Sequence, residues 1–336
     1  MLKILGWAGY DAGLQAVFDA FYQDTGISVS FQGVRNQDEM HSRAQSEGFD
    51  VACPTTDRLA SWLDKGLISP LNDDRIGYER IDPAFHADDQ TIIDGKRMGS
   101  PNIWGGAGIG IHKDHMPSNP NTIRLIDLFD PAYAARLAMR EDTAFVAAGR
   151  ALEAAGKLSF PFDASYRTEA SMIANYDIIS AFLIESAHHV ARFWFSEEEG
   201  TDAFRSGACL IGYSWDSTMA QLYREDLPFR FVAPVEGTNC YLQNFVLGAK
   251  ADAGPAQDWI AWVNTPKGSA LYASALGVNP CAKGATDLMP EEMRAFYETS
   301  YTAEALNKLW WQPEQPLWFV KNRGDYARKY RAAVGK

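Results

Sequence analysis

A chain of 336 residues with 46% hydrophobic and 22% charged side chains is long enough for two globular domains and contains no low-complexity tract. Its 43 acidic against 31 basic residues give a formal net charge of −12, which repels a phosphate backbone and argues against nucleic acid as a partner. No apolar stretch of the sequence has the length that a helix needs to span a bilayer.

The first residues lack the basic and apolar regions of a secretory signal peptide, because Asp11 interrupts a short apolar run. We therefore expect either a cytosolic protein or a processed form that has lost an export signal. The cysteines have neither a C-x-x-C spacing nor a histidine arrangement suited to zinc; they are Cys53, Cys209, Cys240 and Cys281. We expect buried free thiols, no metal and no cofactor.

The beginning of the chain alternates strands with helices, which is typical of a sheet covered by helices. The apolar and turn patterns predict strands at 2–7, 27–33 and 49–54, and helices at 11–26, 36–48 and 56–68. The stretch from 67 to 100 is rich in Asp, Pro and turn signals, and we expect it to be a long surface connection.

The run PNIWGGAGIGIHK at 101–113 predicts a strand with several internal glycines. Because Gly105, Gly106, Gly108 and Gly110 open no helix, the dinucleotide-binding motif G-x-G-x-x-G is rejected. Glycine within a strand more often permits a close approach to the backbone or a bend, as a crossover between two lobes needs.

The same apolar and turn patterns predict the elements of the rest of the chain. We expect a turn, a short helix and a strand over 118–139, an amphipathic helix over 142–156, and more helix over 172–194. In the amphipathic helix Phe145, Ala148 and Leu152 should face inward. Strands are predicted at 207–217, 229–237 and 240–250, and helices from 255 to the end of the chain.

Several predicted strands end or begin in aromatic or hydroxyl side chains: Trp7, Tyr10, Thr55, Thr56, Trp215 and Tyr241. In open α/β sheets the carboxyl ends of the strands line the ligand crevice. The repetition therefore predicts a binding site with aromatic walls.

Taken in order, these segments resemble the polyamine-type periplasmic solute-binding proteins of ABC importers. The resemblance rests on GWAGY and TGISVSFQG near the start, on IWGGAGIGI, LIGYSWDS and NFVLGAK further on, and on ALGVNP and WWQ toward the end. It implies an α/β fold of the two-lobed type II periplasmic class, with the lobes joined by crossover strands and the ligand cleft between them. One lobe would comprise 1–108 and 242–286, and the other 109–241 and 287–336.

The resemblance also implies a periplasmic protein that is not an enzyme, acts as a monomer, binds a small solute and delivers it to a membrane permease. By the resemblance, the candidate ligand-binding residues are Trp7, Tyr10, Thr55, Trp215, Tyr241 and Gln312. Thr55 stands at a family serine, and Gln312 follows a tryptophan as the family's late glutamine does.

The chain departs from the family where polyamine binders place carboxylates against the ligand's ammonium groups. The residues at these places are Gly9, Arg140, Thr143 and Gln243. A buried ammonium without a partner carries a desolvation penalty of several kcal/mol, so this lining is a poor match for two full ammonium charges.

We therefore expect a zwitterionic solute such as 4-aminobutyrate or another amino acid. Arg140 could bind its carboxylate through paired N–H donors. The faces of Trp7 and Trp215 would attract its amine, and Asp57 or Asp216 could supply the counter-charge.

Three alternatives stay open: a true polyamine such as putrescine or spermidine, a sugar stacked on aromatic platforms, and an enzyme on the same fold. The enzyme is the weakest, because the close histidine pairs, His112 with His115 and His188 with His189, fit solvated surface residues better than a catalytic set. The resemblance also brings the segments of Cys240 and Cys281 near each other, which allows a disulfide there.

Overall fold

The computed structural model describes residues 1–8, 11–141 and 143–335, with the side chains of residues 11 and 12 left aside. Within these ranges the strands and helices alternate along most of the chain, as the apolar pattern predicts. Gly9 and Tyr10, which the sequence placed at the candidate site, lie outside the described residues.

The strands of the described residues are β1 (Leu2–Trp7), β2 (Val29–Val34), β3 (Val51–Ala52), β4 (Ile68–Ser69), β5 (Ile92–Ile93), β6 (Lys96–Arg97), β7 (Ser100–His112), β8 (Leu137–Met139), β9 (Val190–Phe193), β10 (Ile211–Trp215), β11 (Phe229–Val232), β12 (Asn239–Gly248), β13 (Asn279–Pro280) and β14 (Trp310–Trp311). The strands predicted from the sequence near the start of the chain, at the glycine-rich run and from 207 onward are confirmed.

The helices are α1 (Asp11–Thr25), α2 (Gln37–Glu47), α3 (Leu59–Asp64), α4 (Asp73–Ile76), α5 (Asp88–Thr91), α6 (Thr143–Ala154), α7 (Glu169–Glu185), α8 (Glu197–Arg205), α9 (Asp216–Arg224), α10 (Ala253–Val263), α11 (Pro266–Leu276), α12 (Glu291–Ser300), α13 (Ala303–Leu306) and α14 (Leu317–Val334). None of the helices in the described ranges combines the length and the apolar character needed to cross a bilayer.

The chain folds as two compact units. Unit 1 comprises Met1–Gly105 and Tyr241–Arg294, and unit 2 comprises Gly106–Cys240 and Ala295–Lys336. The chain therefore passes from one unit to the other within β7, within β12 and within α12. The sequence had placed the corresponding boundaries after residues 108, 241 and 286.

Unit 1 is built on a sheet in which β1 pairs in parallel with both β2 and β3, while β12 runs antiparallel to β3. Helix α1 buries Leu14, Val17 and Phe21, which recur at helical spacing. Phe21 meets the ring of Trp259 edge-on, with ring centroids 5.0 Å apart. This packing covers the sheet and leaves the carboxyl ends of β1 and β3 at one edge.

Unit 2 contains the parallel set β10–β8–β9, and β7 runs antiparallel to β10 at its side. In helix α6 the residues expected to face inward, Phe145, Ala148 and Leu152, are buried, and the buried surface is wider than expected because it runs without a break from Ala144 through Gly149. Phe145 stacks on Tyr176 of α7, with the ring centroids 5.2 Å apart.

Two segments differ from the sequence prediction. The stretch 172–194 is not helical throughout, because α7 ends at Glu185, a 3-10 turn covers Ser186–His189, and β9 follows. The stretch 67–100 is more ordered than a surface connection, since Arg97 is buried and its guanidinium pairs with Asp73 at 2.7 Å and with Asp88 at 3.2 Å. This ion-pair network holds the short elements α4, α5 and β6 together.

The glycines of β7 allow neighbouring side chains to approach the strand backbone closely. A Cβ atom at Gly105 would clash with the ring and hydroxyl of Tyr241, and one at Gly110 would lie 2.7 Å from Cε of Met219. The prediction of close approach is confirmed at these positions.

The four cysteines are buried free thiols, so the disulfide that the sequence allowed between Cys240 and Cys281 is not formed. Burial raises the pKa of the Cys53 thiol to about 12, and it raises the pKa values of the Cys240 and Cys281 thiols well above their ordinary value. His189 is also buried, because it lies in the turn that leads into β9, so the solvated position expected for it is wrong.

Candidate functional site

Three neighbouring parallel strands of unit 2 end at the same edge of the sheet. Trp215 is the last residue of β10, Arg140 directly follows β8, and Trp194 directly follows β9. The register pairs Gly212 with Ala138 and Met139 with Phe193, so the strand ends lie side by side. In sheets of this kind the carboxyl ends of the strands are where ligands bind.

The guanidinium of Arg140 lies against both indole rings. Its Cζ atom is 5.7 Å from the ring centroid of Trp194 and 5.9 Å from that of Trp215. The two rings meet edge to face, 6.3 Å apart at 72°. Trp194 is fully buried, whereas Arg140 and Trp215 keep part of their surface exposed. The buried indole thus supports a cation and an exposed aromatic face that a solute can reach.

Three helices start directly after these strand ends, at Thr143, Glu197 and Asp216. Ser196 caps the second of them, because its hydroxyl accepts a hydrogen bond from the Glu199 backbone N–H at 3.2 Å. The N-terminal ends of helices carry partial positive charge, so the peptide dipoles at this edge favour a negatively charged group.

Asp216 is buried in the first turn of α9. Its Oδ2 accepts a hydrogen bond from the Tyr301 hydroxyl at 2.7 Å, and its Oδ1 accepts one from the Ser217 backbone N–H at 2.9 Å. Burial raises the pKa of this carboxyl to about 6, against the lowering effect of these donors and of the Gly106 backbone N–H. This carboxylate is held inside unit 2 and is less accessible than the sequence suggested.

Glu197 is an acidic residue near this edge that was not among the candidates predicted from the sequence. It lies at the start of α8, and its Oε1 accepts hydrogen bonds from the Ser217 hydroxyl and, at 3.3 Å, from the Thr218 hydroxyl. The negative charge of Glu197 raises the pKa of Asp216 further. Two carboxyl groups therefore lie at the first turn of α9, which begins directly after Trp215, and Glu197 is the more exposed of them.

In unit 1, Trp7 and Gln243 are joined directly. The indole Nε1 of Trp7 donates to Oε1 of Gln243 at 2.5 Å, and the Gln243 Nε2 donates to Asn102 Oδ1 at 3.0 Å. Trp7 is half-buried at the end of β1, while Gln243 is fully buried in β12. The amide of Gln243 therefore positions the indole and places no negative charge next to it.

Thr55 lies beside this pair. It forms an isolated antiparallel bridge with Gln243, and its hydroxyl accepts a hydrogen bond from Gln37 Nε2 at 3.0 Å. Asp57 is buried close by in the chain, and its Oδ2 lies 3.3 Å from Nε of Arg58. The Asp57 carboxylate thus already has a cationic neighbour, which lessens its capacity to balance an amine.

The remaining candidate residues lie in or beside β12, near the point where the chain passes from one unit to the other. Tyr241 in β12 is half-buried and packs on Gly105. Gln312 follows β14, which pairs in parallel with the start of β12, and its backbone N–H donates to the Cys240 carbonyl at 2.9 Å. The structure therefore groups Arg140 with Trp215 in unit 2, and Trp7 with Thr55 and Gln243 in unit 1.

Trp194 was missed from the sequence because its segment was interpreted as helix. The signal was present, since ARFW ends in a tryptophan and precedes the capping box of Ser196 and Glu199, just as the strand before Trp215 precedes a helix. A strand prediction at 190–193 would have placed it with the other aromatic residues at strand ends.

Aromatic rings and a guanidinium at strand ends suit the binding of a small molecule. Among the described residues, no group of three or more His, Cys, Asp or Glu side chains could hold a metal ion. The α/β architecture in two units is that of solute-binding proteins, so the predicted fold class is confirmed. The chain belongs to the bacterial extracellular solute-binding protein family, whose model matches residues 16–295.

Individual relatives agree with this assignment. The spermidine/putrescine-binding periplasmic protein 1 of Haemophilus influenzae is 20% identical over 304 residues, which cover 89% of this chain and 80% of that protein. The crystal structure of the spermidine/putrescine ABC transporter substrate-binding protein of Streptococcus pneumoniae has a TM-score of 0.77 at 19% identity, covering 99% of both chains. A structure described as a GABA receptor has a TM-score of 0.70 at 17% identity, covering 100% of this chain and 98% of the other. The resemblance to polyamine-type binding proteins is thereby confirmed.

Proposed function

We propose that this protein is the extracytoplasmic receptor of an ABC importer and that its solute is a small zwitterion, such as 4-aminobutyrate or another amino acid. The carboxylate of the solute is bound by Arg140, and its amine lies against aromatic faces that include Trp215 and Trp7. The protein passes the solute to a membrane permease and makes or breaks no bond in it.

The observation that carries this proposal is the position of Arg140 at the carboxyl edge of three parallel strands, against two indole rings. A guanidinium held there attracts a carboxylate and repels the ammonium group of a diamine. The helix ends at the same edge add partial positive charge. The similarity to a structure described as a GABA receptor supports a solute of this class.

The residues of unit 1 fit the same proposal. Gln243 stands where polyamine binders are expected to carry an acid, and its amide is occupied by Trp7 and Asn102. With Asp57 next to Arg58, this unit offers an aromatic face and hydrogen-bonding groups in place of a strong negative charge. One amine can be accommodated by cation–π attraction of roughly 0.5–2 kcal/mol, whereas these residues of unit 1 offer a second ammonium group no matching acid.

Polyamine binding is the second candidate function. It is favoured by the two relatives described as spermidine/putrescine proteins and by the two carboxyl groups, Glu197 and Asp216, at the first turn of α9. In this alternative Glu197 binds an ammonium group and Arg140 points away from the solute.

A ligand screen separates the candidates. The purified protein is titrated calorimetrically with 4-aminobutyrate, other amino acids, putrescine, spermidine and simple sugars, and the unfolding temperature is measured with each. A ligand at about 100 times its dissociation constant opposes unfolding by roughly 2.7 kcal/mol, which gives a clear upward shift. Saturable binding of an amino acid with weak or absent putrescine binding supports the proposal, and the reverse order of affinities contradicts it.

The same complex tests the receptor role. We expect the bound solute to be recovered unchanged after many hours with the protein, as mass spectrometry of the released ligand would show. Conversion of the solute into a product would identify an enzyme instead.

A further inference from the structure

We propose that Arg331, near the end of α14, is a positioning residue for Arg140 and Trp194, and that it thereby sets how tightly the protein binds a solute carboxylate. The inference rests on the proposed function, because it takes Arg140 as the group that binds the carboxylate.

Arg331 contacts the two chain segments that leave β8 and β9. Its Nε and Nη2 both donate to the carboxylate of Glu141, and its Cζ atom lies 5.2 Å from the ring centroid of Phe195. Glu141 directly follows Arg140 in the chain, and Phe195 directly follows Trp194. One side chain of a helix far along the sequence therefore joins the segments that carry the guanidinium and its supporting indole.

These segments lie just beyond the strands, where the pairing of β8 with β9 ends. The register of β8 with β9 ends at Met139 and Phe193, and one further backbone hydrogen bond, from Trp194 N–H to the Met139 carbonyl at 3.2 Å, extends it. The contact of Arg140 with Trp194, 5.7 Å from Cζ to the ring centroid, lies just past this point. Two local hydrogen bonds also hold these segments, from the Phe195 N–H to Glu199 at 2.7 Å and from the Ala144 N–H to the Arg140 carbonyl at 3.0 Å. Each of them lies within one segment, whereas Arg331 contacts both.

The ion pair between Arg331 and Glu141 has a bidentate geometry, with two N–H donors on one carboxylate. Two parallel N–H donors facing one carboxylate fix both distance and orientation, which a single contact does not. The Glu141 side chain is only 18% exposed, whereas Arg331 is 45% exposed. The carboxylate is thus largely enclosed, and loss of its partner is expected to move the segment of Arg140.

The same helix provides a matched control. Arg328 lies three residues before Arg331 and pairs with Asp325 of α14 itself. Replacing Arg328 with Gln removes the same charge from the same helix but changes no contact with the segments of Arg140 or Trp194. A lysine at position 331 keeps the charge and loses the paired donors.

The binding test uses 4-aminobutyrate and putrescine as probes. We expect Arg331→Gln to weaken 4-aminobutyrate binding by about 3-fold to 10-fold, Arg331→Lys to weaken it less, and Arg328→Gln to change it by less than about 2-fold. Putrescine binding should not weaken in parallel, because Arg140 does not hold it. Equal effects of the 331 and 328 replacements, or equal loss for both probes, would overturn the inference.

A second measurement needs no ligand. The indole N–H resonances of Trp194 and Trp215 are assigned by single Phe replacements and compared among the variants by NMR. We expect Arg331→Gln to shift both resonances and Arg328→Gln to shift neither; unshifted resonances in Arg331→Gln would overturn the positioning role. If the unmodified protein binds none of the amino acids in the ligand screen, the proposed function fails, while the resonances still decide whether Arg331 positions this site.

Discussion

The indole nitrogen of Trp7 donates a hydrogen bond to the side-chain oxygen of Gln243 at 2.5 Å, and the amide nitrogen of Gln243 in turn donates to Asn102. This chain of donors fixes the orientation of both amides, since Gln243 must present its oxygen to the indole and its nitrogen to Asn102. A glutamate at position 243 would present an oxygen to each and would lose the second bond. The neutral amide is therefore suited to its surroundings, whatever the solute is.

We expect Gln243→Met to lower the free energy of unfolding by about 1–3 kcal/mol, because it leaves a buried acceptor on Asn102 and the Trp7 indole without partners. Urea unfolding followed by circular dichroism measures this. The control is the double variant with Trp7→Phe, where removal of the indole N–H should make the second replacement less costly. Strictly additive effects would show that the hydrogen bond contributes nothing to stability.

Replacement of Arg140 tests the carboxylate contact directly. We expect Arg140→Gln to weaken binding of 4-aminobutyrate by about 10-fold to 100-fold, as loss of a charged hydrogen bond predicts, and to leave putrescine binding unchanged or improved. Calorimetric titration of both ligands gives the two affinities. If the variant loses both ligands equally, Arg140 has a general structural role and does not bind the carboxylate.

The local chemistry of the strand ends could be predicted from the sequence, but the partners of each side chain could not. Trp7 and Trp215 stand at strand ends as the apolar runs indicate, because the length of a buried strand and the start of the next helix are local properties. Packing decides that the Asp57 carboxylate lies against the Arg58 guanidinium. It also decides that Asp216 accepts a hydrogen bond from Tyr301, a residue far along the chain.

The missed residue has a physical explanation. Between α7 and β9 the chain contains no Gly or Pro, only the short turn Ser186–His189, so no helix-breaking residue separates the apolar residues of the helix from those of the strand. Periodicity alone cannot separate a buried helix from a short buried strand. Trp194 was therefore assigned to a helix, and its place beside Arg140 became visible only in the sheet register.

Trp194 and Trp215 should respond differently to replacement, because one is buried and the other is partly exposed. We expect Trp215→Ala to weaken solute binding by at least about 1 kcal/mol with a modest change in unfolding temperature. Trp194→Ala should lower the free energy of unfolding by about 3–5 kcal/mol through the cavity that it leaves. Titration and thermal unfolding of both variants check this, and an unchanged affinity in well-folded Trp215→Ala removes that residue from the site.

The buried carboxyl of Asp216 predicts a pH dependence with a definite sign. Burial raises its pKa in the folded state to about 6, above the ordinary value of 3.8. Because the folded state then binds the proton more tightly than the unfolded state, the stabilisation from this group is complete below about pH 4 and is lost as the pH rises to about 6. The facing groups are the Tyr301 hydroxyl, the Glu197 carboxylate and the Cys240 thiol.

The comparison that isolates this group is between the unmodified protein and Asp216→Asn, which keeps the shape of the side chain and cannot ionise. As the pH rises from 4 to 6.5, we expect the unfolding temperature of the unmodified protein to fall by about 5 °C relative to the variant, since every other titrating group is shared. Differential scanning calorimetry at half-unit steps of pH measures the difference. Parallel curves over this range would mean that Asp216 titrates below pH 4 in the folded protein, with its three hydrogen-bond donors outweighing the cost of burial.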